Sequence, residues 1–148
     1  VKEEINAAVE WWAKVIQEPK HDNGEPLQSL FANWLTSKLK PLAEDQIESF
    51  KKNLTVKIRE LLQKYQHYWR EGDPRCGEFF RTIAVDYYPC SELAEAAEKA
   101  GIDATDLRFP MKTEMWINPG EVKVRHGYSA PIQTIFKLKK KEEAGSDA

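Results

Sequence analysis

The stretch Met111-Lys112-Thr113-Glu114-Met115-Trp116-Ile117-Asn118-Pro119-Gly120-Glu121-Val122-Lys123-Val124-Arg125-His126 reads as two strands folded back on each other. Pro119 fixes φ and Gly120 accepts a positive φ, so the chain reverses between Ile117 and Glu121. Beyond the turn, Val122 and Val124 point to one side, while Glu121, Lys123 and Arg125 point to the other. A lone two-stranded hairpin is marginal in water, and the segment from Tyr128 to Leu138 supplies a candidate third strand. From position 139 the composition turns to Lys, Glu, Gly, Ser and Asp, which cannot support a core; a disordered tail is expected over 139–148.

Upstream of the hairpin the periodicity changes from two to about 3.6. Ile5, Val9, Trp12 and Ile16 fall at spacings of four, three and four, one buried face of a helix that Trp11 and Val15 widen. Pro19 and the run Lys20-His21-Asp22-Asn23-Gly24-Glu25-Pro26 predict a loop. A second helix starts near Pro26, and its broad face of Leu27, Leu30, Phe31, Trp34, Leu35 and Leu39 calls for burial against more than one neighbour. After Pro41 a third helix runs from about Ala43 to Arg70 on the stripe Ile47, Phe50, Leu54, Ile58, Leu61 and Tyr65. At ~1.5 Å per residue it would reach about 40 Å, longer than such a domain is wide, so one end should protrude or kink.

Gly72-Asp73-Pro74 reads as a stop followed by a new start, since Asp can cap a helix whose first turn takes Pro. Two readings fit the next segment: Phe79, Phe80, Ile83, Ala84 and Tyr87 recur at helical spacing, while Ile83, Val85 and Tyr87 alternate as in a strand over Arg81 to Tyr88. Pro89 ends either one. Ser91 can cap a short helix from Glu92 to Ala100, with Leu93, Ala96, Ala97 and Ala100 on its packing face and Gly101 as its stop. The expected fold class is therefore α+β: four to five helices, one of them long, packed with a C-terminal antiparallel hairpin or three-stranded sheet. Residues 1–138 are expected to form one domain, long enough to bury a sizeable core.

Composition excludes several classes. With 41% hydrophobic and 31% charged residues the chain is ordinary for a globular protein, but the five Trp, five Tyr and six Phe are more than a core of this size needs. A net charge of −2 gives no global field for holding DNA, RNA or an anionic membrane. Two cysteines, Cys76 and Cys90, do not make a disulfide framework and are read as reduced thiols. Without a run of roughly 20 apolar residues or an export-like amino terminus, the expected compartment is the cytoplasm.

Reactive side chains do not converge in the sequence. His21, His67 and His126 lie on different elements, none paired with Cys or carboxylate at metal-ligand spacing, and Pro89-Cys90 lacks the second thiolate of a zinc deaminase motif. Glycine-rich phosphate loops are absent. No metal and no cofactor are expected. Cys90 stands at the start of a helix, where the dipole favours a thiolate, so a thiol enzyme pairing it with His126 and Asp86 is one alternative. The other is a small residue packed at a helix start.

The surface chemistry is more informative. Arg108, Lys112, Lys123 and Arg125 fall on the hairpin or its approach, with Trp116 on the same strand face as Lys112 and Glu114. Such cations around an aromatic could hold a phosphate backbone or stack a base, or they could be a solvated outer face whose Trp covers its neighbours. Tyr65, Tyr68 and Trp69, at the end of the third helix, are either lower core or an exposed anchor cluster.

Phe109-Pro110-Met111-Lys112-Thr113-Glu114-Met115-Trp116-Ile117 and Gly120-Glu121-Val122-Lys123-Val124-Arg125-His126-Gly127-Tyr128, together with the helix end Ala96-Ala97-Glu98-Lys99-Ala100-Gly101-Ile102, resemble small orphan proteins of phages and other mobile elements. That group includes anti-CRISPR inhibitors, and the resemblance implies occlusion of a host partner rather than catalysis. The expectation is thus a non-enzymatic protein that binds another protein or ribonucleoprotein through Trp116, Lys112, Lys123, Arg125, Trp69 and Tyr68. A nucleic-acid module on the basic hairpin face and a thiol enzyme at Cys90 are the alternatives.

Overall fold

The computed structural model describes residues 1–21 and 25–139. Residues 22–24 of the expected loop and nearly all of the expected tail lie outside them. Among the described residues the order is α1 (Lys2–Gln17), α2 (Pro26–Thr36), α3 (Glu44–Lys64), short 3-10 turns at Gln66–Tyr68 and Glu78–Arg81, β1 (Thr82–Val85), α4 (Ser91–Lys99), β2 (Thr113–Asn118), β3 (Glu121–His126) and β4 (Gln133–Lys137). The α+β class is as the periodicities indicate.

The four strands form one antiparallel sheet in the order β1-β2-β3-β4. Asn118 pairs with Glu121, which leaves Pro119-Gly120 as a two-residue turn with Gly120 at φ +75°. Met115, Ile117, Val122 and Val124 point inward from β2 and β3, and α1, α3 and α4 close over them. Trp12, Ile16, Phe50, Leu54, Ile58, Leu93 and Phe109 fill the space between, all 2% exposed or less. Three small residues of α4, Ala94, Ala96 and Ala97, let it lie close against α3.

Three expectations need correction. The third helix ends at Lys64, after 21 residues or about 31 Å, and does not run on to Arg70. Past its end the aromatics make tertiary contacts: Tyr65 and Tyr68 both stack on Phe80, at ring separations of 4.8 and 5.0 Å. Residues 82–85 are a strand, so the helical reading of Phe79 to Tyr87 fails. Gly77 at φ +71° interrupts the chain direction, and the open edge of β2 rewards the period-two pattern of buried Ile83 and Val85. The sheet therefore has four strands, its first drawn from the middle of the chain.

The third correction concerns α2. The helix forms where expected, with Pro26 in its first turn. Its buried residues, however, are Ser29, Ala32 and Thr36, while Leu27, Leu30, Phe31 and Trp34 face outward. A reciprocal clasp anchors the helix from its small side: the Asn33 side-chain oxygen accepts from the His21 backbone amide at 2.7 Å, and the Asn33 side-chain nitrogen donates to the His21 carbonyl at 3.0 Å.

Candidate protein-binding face

The outer face of the sheet is built around a buried arginine. Arg81 is 1% exposed and donates from Nε to the Ile117 carbonyl (2.6 Å), from Nη1 to Cys76 O (2.9 Å) and Tyr68 O (3.4 Å), and from Nη2 to Pro74 O (3.0 Å) and Asn118 Oδ1 (2.9 Å). One guanidinium thus fixes the loop at 68–76 to the end of β2. Asn118 in turn donates to Glu78 Oε1 (2.6 Å), and Lys123 Nζ stands 3.3 Å from the same oxygen. Burial raises the Glu78 carboxyl, but the Asn118 and Lys123 hydrogen bonds outweigh it and hold the group below the ordinary carboxylate range.

This network presents aromatics. Gly77 lies so close to Tyr68 that a Cβ placed there would meet the Tyr68 Cβ at 2.3 Å, and from this point the 3-10 turn displays Phe79 and Phe80. Phe79 is 83% exposed, and its ring meets Phe80 edge-on at 5.8 Å. Thr82 pairs with Trp116, so the turn ends one residue from the partner of that Trp in the sheet. Across β3, Arg125 holds its guanidinium 5.5 Å over the Trp116 ring and bonds to Glu114 at 2.5 Å. Half-buried Trp116 lies beside Thr82 on the sheet face, bordered by the paired Arg125 and Glu114, and Phe79 and Phe80 extend from the turn that leads into Thr82.

The residues singled out from the sequence do not all meet here. Trp116 and Arg125 share the face. Lys123 lies on it too, but only 7% of its surface is exposed and Glu78 neutralises it, so it is not a free contact cation. Tyr68 stacks beneath Phe80, and Trp69 packs against the core under the Arg81 guanidinium at 5.4 Å; both support the face from behind. Lys112 departs altogether. It sits outside β2 at φ +57°, about 13 Å of strand away from Trp116, and pairs with Glu25 at 3.0 Å. Arg108 is buried and bonded to Asp106 and to the Lys40 carbonyl. The four cations that suggested a basic hairpin are therefore each matched with a carboxylate.

Sequence reasoning missed Phe79 and Phe80 as site residues because it left their segment open between a helix and a strand and assigned it no surface role. The available signal was a pair of adjacent large rings just after a glycine, which no short element can bury together.

Other candidate chemistries find little support. Burial pushes the Cys90 thiol up to about 11, away from the thiolate an activated nucleophile needs. Its backbone serves as the cap of α4, with the amide bonded to Ala84 O at 2.9 Å. Both cysteines are free thiols. Among the described residues no three His, Cys, Asp or Glu gather in a metal-binding group, and no helix is long and apolar enough to cross a membrane.

Residues 27–136 match the family model described as BTG family. The chain belongs to the BTG family. Among similar proteins, the maternal B9.10 protein of Xenopus laevis is 30% identical over 115 residues, covering 76% of this chain and 47% of that one. Protein BTG3 of Homo sapiens is 26% identical over 145 residues, 97% of this chain and 48% of that one. The chain thus spans about half the length of the curated relatives it matches. A solved C. elegans FOG-3 BTG/Tob domain has the same fold, with a TM-score of 0.67 at 17% identity over 93% of this chain and 90% of that one.

The BTG match overturns the resemblance to phage and mobile-element proteins, and with it the role of anti-CRISPR-like inhibitor. The stretch that carried that resemblance, from Phe109 to Tyr128, lies inside the span the BTG family model covers.

Proposed function

We propose that this BTG domain is a non-enzymatic, cytoplasmic protein-recognition module of a regulatory protein, and that it grips its partner with the sheet face of Trp116, Phe79 and Phe80. The observation that carries the reading is Phe79, a large ring 83% exposed on a turn that Arg81 ties to β2 and that leads directly into Thr82, the sheet partner of Trp116. Aromatic anchors on a rigid support are the usual source of binding energy at protein interfaces. For the partner we propose a CAF1/CNOT7-type protein, in keeping with the family's eukaryotic anti-proliferative regulators. Nothing comparable supports nucleic acid as partner, because the cations of the hairpin and its approach are already paired.

Titration calorimetry of the purified chain against CNOT7 tests the proposal. Phe79→Ala and Trp116→Ala should each weaken binding by about 2 kcal/mol, roughly 30-fold, with the far-ultraviolet circular dichroism unchanged. Binding that survives both substitutions at full strength rules out this face.

A further inference from the structure

The outward residues of α2 repeat as Leu27, Leu30, Phe31 and Trp34, and they are 83%, 68%, 61% and 54% exposed. At 100° per residue these four lie within one stripe of the helix, opposite the buried Ser29, Ala32 and Thr36. Phe31 and Trp34 stack at 6.1 Å, and the Lys38 ammonium sits 4.5 Å from the Trp34 ring centre. A protein surface rarely carries four large apolar side chains in one stripe without something to cover them.

The pattern itself indicates the cover. The four positions are symmetric about the point between residues 30 and 31. When two copies of α2 pack antiparallel, Leu27 of each meets Trp34 of the other and Leu30 meets Phe31, so each stripe is its own complement. The ends agree as well: Glu25, held within its own chain by Lys112, precedes the helix and Lys38 follows it, so antiparallel packing sets no like charges against each other and leaves the two helix dipoles opposed. Side chains of this size expose about 150–250 Å² when free, which makes the stripe about 500 Å² per chain and about 1,000 Å² for a pair. That is the lower end of what a specific interface buries.

We infer that α2 is a self-association helix, through which two copies of this chain form a two-fold dimer by antiparallel α2–α2 packing. The contact is separate from the sheet face of Trp116 and Phe79 and does not depend on the partner proposed for it.

Sedimentation velocity of the purified chain over about 1–300 μM is the test. The expected result is a monomer–dimer equilibrium with a dissociation constant on the order of 10 μM, as suits a small interface. Leu30→Glu and, independently, Phe31→Ser should each raise that constant more than tenfold while leaving the circular dichroism of the monomer intact and its melting curve little changed, since both side chains are mostly in solvent. A wild-type chain that stays monomeric throughout overturns the inference, whether or not it sediments with anionic vesicles. So does a dimer that both variants leave unchanged.

Discussion

Removing the Arg81 guanidinium should cost more stability than any other single surface-distant polar substitution in this fold, and the network gives the magnitude. Arg81→Met keeps most of the stem volume but takes away every donor to Ile117 O, Cys76 O, Tyr68 O, Pro74 O and Asn118 Oδ1. Water can reach the carbonyls of the 68–76 loop, so their loss is partly made good. Ile117 and Asn118 are buried at the sheet, and an unsatisfied buried acceptor costs about 1–3 kcal/mol. Against this stands the relief of a buried charge, whose desolvation holds the Arg81 pKa below its ordinary value. Buried ions can be replaced by apolar groups at little cost only when their partners are replaced too. Here four of the five partners are backbone carbonyls, so the sign stays destabilising at about 3–5 kcal/mol. For a domain of this size that is a fall in Tm of about 10 °C or more. Urea unfolding followed by circular dichroism measures it, and Arg81→Lys, which restores charge but not the planar fork, should recover less than half. A loss under about 1 kcal/mol for Arg81→Met would refute the claim that this side chain frames the face.

Two further outcomes rest on local geometry. Gly77→Ala forces a side chain into a left-handed φ of +71° and against the Tyr68 Cβ at 2.3 Å, and should lower stability by about 2–3 kcal/mol in the same urea assay; a neutral result would mean that the 3-10 turn is not held where it stands. His21 is 2% exposed, and burial holds its pKa below 6.5 despite the Leu107 carbonyl 2.9 Å from Nε2. The unfolded chain therefore takes up the proton first, so stability is complete above pH 6.5 and falls as the pH drops from there towards the lowered native value, with a slope of at most about 1.4 kcal/mol per pH unit. His21→Gln should flatten that part of the curve, and an identical slope in the variant would assign it to another group.

What could be read from the sequence is what local patterns decide. α1, α4 and the β2–β3 hairpin follow from spacing, stop signals and a Pro-Gly turn, each set within a few residues of itself, although α4 starts at Ser91 with Cys90 as its cap, one residue before the cap the sequence suggested. β1 was ambiguous because Phe79 to Tyr87 satisfies both periods, and the choice was made by the unpaired edge of β2, about 30 residues further along the chain. The inverted α2 was out of reach for a related reason. Periodicity shows that a helix has an apolar stripe but not which stripe the fold covers, and here Asn33 and the small residues fix the helix from the polar side.

The site was half legible by the same logic. Trp116 and Arg125 were placed on one face because strand alternation puts them there. The role of Lys123 was not, because its neutralising carboxylate, Glu78, lies on a turn 45 positions away in a segment whose structure was itself undecided. Counting cations on the hairpin therefore overstated its positive potential. Paired as they are, Lys123 and Arg125 contribute fixed geometry more than field: one joins the Glu78–Asn118–Arg81 chain that supports Phe79 and Phe80, and the other covers one side of the Trp116 ring. With these charges matched locally, what the face offers a partner is chiefly the capped Trp116 ring and the exposed rings of Phe79 and Phe80, the kind of side chain that supplies anchors at protein interfaces.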